Sequence, residues 1–114
     1  MIDRQKFNDT FQYFDKEIIV EIIDLFISEY PERFDRLHKN IADKDFVALK
    51  FNAHSLKGVI ANFRDPETTR LSILLDEMAK NRTENGVEQV FNDLQQGTLS
   101  LIEELKKMKK EFTS

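Results

Sequence analysis

Only three glycines and two prolines occur in 114 residues. A chain this poor in breakers has little material for hairpins or long loops, so it is either mostly helical or mostly unstructured. Apolar periodicity decides for helix. From Asp15 onward Ile19, Ile22, Ile23, Phe26, Tyr30, Phe34, Leu37 and Ile41 recur at steps of three and four, the pattern of one buried helical face. Asp15 is a candidate N-cap, and Glu17 in the first turn complements the helix dipole. Pro31 lies inside this stripe and is expected to kink the helix near Ser28–Tyr30. Before it, Phe7, Phe11 and Phe14 give a short helix from about Asp3 to Phe14. A third helix starts near Asp43 or Asp45 and runs to about Phe63. Asp65-Pro66-Glu67 then supplies a cap, a first-turn proline and an early acid. The fourth helix carries Leu71, Leu74, Leu75 and Met78 and stops in the polar stretch Asn81–Asn85. The fifth carries Val87, Val90, Phe91, Leu94, Leu101, Leu105, Met108 and Phe112. Amphipathic helices on short connections bury their stripes most simply as an all-α, antiparallel four-helix bundle with a short N-terminal capping helix.

The same numbers narrow the function classes. The length suits one domain spanning 1–114. With no cysteine, disulfide scaffolds, thiolate metal sites and cysteine nucleophiles are excluded. A net charge of −4 argues against nucleic acid as the main partner. The longest unbroken apolar run, Phe46-Val47-Ala48-Leu49, is far below the ~20 residues of a membrane helix. No secretory signal opens the chain, so a cytoplasmic protein is expected. Gly58, Gly86 and Gly97 are too scattered for a nucleotide loop. No ATP-dependent autokinase is expected, and no cofactor or metal bound by this chain.

One histidine stands out. On the third helix Leu49, Ala53, Leu56, Ile60 and Phe63 form the core stripe, and at about 100° per residue His54 points roughly 120° away from its centre. Its azimuth is close to that of Val47, Lys50, Lys57, Gly58 and Ala61. Gly58, one turn on, costs the helix about 1 kcal/mol relative to alanine and opens space beside the imidazole. Lys50 and Lys57, at i−4 and i+3, bracket the ring with positive charge, while Val47, Phe51 and Ala61 add a small or apolar rim. Together they describe a docking surface for an anionic centre. The remaining candidates have plainer readings. His38 reads as a solvated histidine, Asp76 and Glu77 as a solvated acidic face in preference to a rim of the docking surface, and Lys106–Lys110 as a solvated helix end complementing the dipole.

Ala53-His54-Ser55-Leu56-Lys57-Gly58, followed by Asn62, resembles the signature of histidine-containing phosphotransfer (HPt) domains of multistep phosphorelays, and the likeness extends over nearly the whole chain. The resemblance implies that His54 accepts the phosphoryl group, through its Nε2 atom, from an aspartyl phosphate on a receiver domain and returns it to another. It implies that Lys57, with Lys50 as a second cation, stabilises phosphate charge, that Gly58 leaves room for the partner, and that Mg²⁺ sits on the receiver. The chain itself would be a monomeric carrier. Two positions depart from the family's habit: Arg64 stands where a glycine is usual, and Thr68 where an apolar residue is usual. Asp65-Pro66 then serves as the helix stop. Two other classes are compatible with a bundle: a module that binds receivers or other partners without transfer, and the dimerisation and phosphoacceptor domain of a sensor kinase. The latter typically has an acid directly after its histidine, where Ser55 stands here.

Overall fold

Aspartates start three of the helices by one device. Asp3, Asp45 and Asp65 each accept a hydrogen bond from the backbone N–H three residues on, at 3.1, 3.1 and 3.2 Å, which satisfies one of the donors every helix start leaves free. The computed structural model, described here for residues 1–113, contains α1 (Arg4–Thr10), α2 (Lys16–Ala42), α3 (Phe46–Ala61), α4 (Pro66–Lys80) and α5 (Val87–Thr113). Asp15 precedes α2 in an extended conformation but makes no side-chain cap bond.

The ends of α2 and α4 are closed by a shared turn. After α2, the N–H groups of Lys44 and Asp45 reach back to the carbonyls of Ile41 and Asn40. After α4, those of Arg82 and Thr83 reach Ala79 and Met78. Both are Schellman closures, which place one residue in the left-handed region where glycine is usual. Lys44 and Arg82 occupy it at φ 54°, and Arg64 takes a similar conformation at φ 60° between α3 and α4. The glycine habit at Arg64 thus has a backbone cause. Thr68, the other departure, is buried and donates its hydroxyl to Asp65 Oδ2 at 3.0 Å, so a polar pair replaces an apolar contact.

Helix α2 packs on α3 and α5, and α4 packs on the same two; short links between neighbours make the four run antiparallel. With 27 residues each, α2 and α5 are about 40 Å long, against about 24 Å for α3 and α4. Their excess length overhangs the α3–α4 end, and α1 covers it. Phe7 stacks on Phe112 at 6.4 Å, Asp3 N–H bonds the Arg64 carbonyl at 2.8 Å, and Ile2 N–H bonds Glu104. Between the helices, Ile23, Leu37, Leu49, Leu56, Ile60, Leu75, Leu94, Leu101 and Leu105 are excluded from solvent.

One expected boundary shifts, and the helix that contains Pro31 stays one element. Helix α1 stops at Thr10, and Phe11–Phe14 instead form a turn in which the Phe11 and Phe14 rings meet edge to face. Helix α2 runs without a break through Pro31. The proline ring is exposed, while Ile23 and Phe26 before it and Phe34 and Leu37 after it bury into one core, so packing outweighs the missing backbone donor.

Candidate functional site

The five apolar residues that fix α3 in the core are all buried: Leu49, Ala53, Leu56, Ile60 and Phe63. Rotation of the helix around that stripe carries His54 outward, leaving its side chain 65% exposed. Gly58 lies one turn on, and a Cβ placed there would meet nothing within 4 Å. No internal packing demands this glycine; it keeps the surface beside the imidazole low.

Beneath the ring the structure corrects the sequence reading. Asp76 is not part of a solvated acidic face. Only Glu77 is exposed, whereas Asp76 is 1% exposed and turned under α3. The reason is register: Leu75 and Ala79 bury into the core, and Asp76 falls at the edge of that stripe on the side of α3. Its Oδ2 accepts from Lys57 Nζ at 2.8 Å, lies 3.2 Å from Lys80 Nζ, and stands 3.6 Å from His54 Nδ1. Three nitrogens converge on one oxygen. Burial raises the pKa of Asp76, but the hydrogen bonds and charges of Lys57 and Lys80 outweigh it and hold the carboxyl below its ordinary value. Asp76 Oδ1 is buried with no hydrogen-bond partner. The Nδ1 edge of His54 therefore faces a carboxylate, and its Nε2 edge faces solvent.

Lys57, expected at the site, is present but engaged by Asp76. Lys80 was missed as a site residue, and Asp76 was read at most as rim, never as the carboxylate beneath the ring. Their i,i+4 spacing was visible as a helix pair, but nothing in a single sequence says which face of α4 meets His54. Lys50 sits differently from Lys57: among the described residues it makes no ion pair, and it lines a shallow, mostly apolar hollow of about 400 Å³ with Val47, Phe51, His54 and Ser55. Phe51 is 75% exposed, so it joins the rim rather than packing under a neighbour. Ala61 is exposed two turns beyond His54 and lines a separate groove towards α1. On the α2 side, Arg33 donates to Ser55 Oγ at 3.2 Å and pairs with Glu29, while Asn52 donates to Asn40 at 2.8 Å.

His38 is exposed on the α2–α5 side, its ring 5.8 Å from Phe91, and takes no part in this arrangement. Lys106 and Lys109 pair with Glu103 and Asp24 at the solvated end of α5. Among the described residues no helix is long and apolar enough to cross a membrane.

Residues 21–110 match the family described as Hpt domain. The chain is also similar to Phosphotransferase RcsD of Escherichia coli (strain K12), with 31% identity over 78 residues. That alignment covers 68% of this chain and 9% of RcsD, so the chain spans a small part of its relative. No solved structure matches. The chain belongs to the Hpt domain family, whose work is histidine phosphotransfer in phosphorelays.

Proposed function

We propose that His54 is the phosphoacceptor of a carrier that takes a phosphoryl group from one receiver-domain aspartyl phosphate and passes it to another. The observation that carries this reading is an exposed imidazole whose Nδ1 edge lies 3.6 Å from a buried carboxylate flanked by two lysines. In the neutral ring, that carboxylate favours the tautomer with the proton on Nδ1, so the lone pair sits on the solvent-facing Nε2. Nε2 attacks phosphorus in line. The N–P bond forms as the acyl O–P bond breaks, and the partner's aspartate leaves with the electron pair. The ring then carries a positive charge that Asp76 stabilises.

Phosphoryl transfer has a loose transition state, so positioning and charge stabilisation do most of the work. Lys57 and Lys80 lie close enough to exchange Asp76 for phosphoryl oxygens as those arrive, and Gly58 leaves room for the partner's backbone. Mg²⁺ on the receiver supplies the remaining charge. Val47, Phe51 and the stem of Lys50 give the partner an apolar foothold beside the ring. The proposed donor is a receiver rather than ATP.

The test is transfer from ³²P-labelled phospho-receivers to the chain and to His54→Gln. Acid-labile, base-stable label on the wild type alone is expected. Label on neither, across a receiver panel, would leave a non-transferring binding module; label on both would move the acceptor elsewhere.

A further inference from the structure

The α3–α4 seam that holds Asp76 continues past the imidazole into a second concavity. This groove, of about 410 Å³, is walled by Ala61, Pro66, Thr69 and Ile73 and ringed by Lys6, Arg64 and Arg70. Ile73 is 41% exposed, one turn before Asp76 on α4. Arg70 is paired with Glu67, but among the described residues Lys6 and Arg64 make no side-chain hydrogen bond or ion pair. Although the chain carries 21 acids, none falls between Phe46 and Arg64. This side of the bundle is therefore cationic on a protein of net negative charge.

We propose that this groove belongs to the docking interface and receives an acidic edge of the receiver, an aliphatic side chain flanked by carboxylates. The proposal rests on the carrier reading of His54 and adds where the partner lies. A stable partner covers about 800 Å² per side, a disc of roughly 16 Å radius. Centred on His54, that footprint takes in Ala61, about 10 Å along α3, and Arg64 just past the helix end. A receiver must also surround its phospho-aspartate with carboxylates to hold Mg²⁺, so negative charge near its reactive centre is required by its own chemistry. The unpaired cations of the groove complement that charge, steer the encounter and fix orientation. The apolar hollow at Val47 and Phe51 lies on the other side of His54, so the two halves of the footprint differ in character and the partner can dock in only one sense.

The test measures capture of the phosphoryl group from an acetyl-phosphate-loaded receiver with Mg²⁺, the fastest donor of a panel, as a function of receiver concentration. Arg64→Glu is expected to raise the half-saturating concentration about tenfold at low salt, an effect that fades at high salt because exposed charges are screened. Arg64→Gly is expected to raise it about threefold while increasing the melting temperature, since glycine suits the φ of 60°. That opposite pair of shifts cannot come from damaged folding. Lys107→Glu on α5, with the same change in net charge, should leave capture unchanged. If both Arg64 variants keep the wild-type half-saturation while Phe51→Asp raises it and His54→Gln takes no label, the partner lies wholly on the α2 side. The groove proposal is then overturned and the carrier reading stands. No label on the wild type from any receiver would overturn both.

Discussion

Asp65 and Asp76 belong to the same stretch of chain and are almost equally buried, at 2% and 1% exposure, yet they do different work. Asp65 uses both oxygens on the start of α4, and Oδ1 also stands 3.3 Å from the Met1 amino group. One accepts from the Thr68 N–H and the other from the Thr68 hydroxyl. Asp76 leaves Oδ1 bare and gathers Lys57, Lys80 and the edge of His54 around Oδ2. A buried charge satisfied by its own helix start and by the Met1 ammonium that α1 brings alongside is structure. A buried charge beneath an exposed imidazole, held by side chains that can reach outward, is what the proposed transfer would use. Burial alone does not separate the two cases; the partners do.

Alanine at each position sharpens this contrast most. Asp76→Ala should slow phosphoryl capture by His54 about tenfold or more, equivalent to at least 1.4 kcal/mol in the barrier. It should cost only about 1 kcal/mol of stability, because Lys57 and Lys80, at 26% and 46% exposure, can turn to water. Asp65→Ala should show the reverse. Loss of the cap and of the Thr68 hydroxyl's acceptor costs about 2 kcal/mol by urea denaturation, with capture per folded molecule unchanged. Equal losses of rate in the two variants would break the comparison.

Two mid-helix glycines repeat the contrast at smaller scale. A Cβ at Gly97 would stand 3.1 Å from Thr68 Oγ1, an atom held in place by Asp65. Gly97→Ala should therefore destabilise the fold by about 1 kcal/mol despite alanine's better helix propensity. A Cβ at Gly58 meets nothing, so Gly58→Ala should stabilise by about 1 kcal/mol. The same change should reduce capture severalfold, because the added methyl faces the partner. Thermal melts and labelling rates measured together decide the matter.

The smallest effect is in pH. The folded pKa of Asp76 lies below its ordinary value, so the folded state binds this proton less readily than the unfolded chain does. The resulting stability is fully present above the unfolded pKa of about 4 and fades as pH falls through the lowered folded value. Urea midpoints for wild type and Asp76→Ala should differ at pH 6 and converge towards pH 3. A gap that grew on acidification would contradict the assignment.

Much of this was legible in the sequence. The stripes of α2, α3 and α5 follow one period, and the Asp65-Pro66 start of α4 is local chemistry. His54 was visible because α3 has a strong core stripe to measure against, and Gly58 because a mid-helix glycine carries a known cost. What escaped depended on two helices meeting. Asp76 reads as half of a carboxylate pair until α4 is docked on α3. The end of α1 depended on Phe11 and Phe14 meeting edge to face rather than extending a helix.

The central claim is that Asp76 faces Nδ1 of His54 and leaves Nε2 to attack phosphorus. The direct measurement is nitrogen-15 and phosphorus-31 NMR of the chain after phosphorylation by a receiver, with labelled histidine. A single phosphorylated imidazole is expected, at His54, bonded through Nε2 and with its proton on Nδ1. A phosphoryl group on Nδ1 of His54, or on His38, would contradict the account.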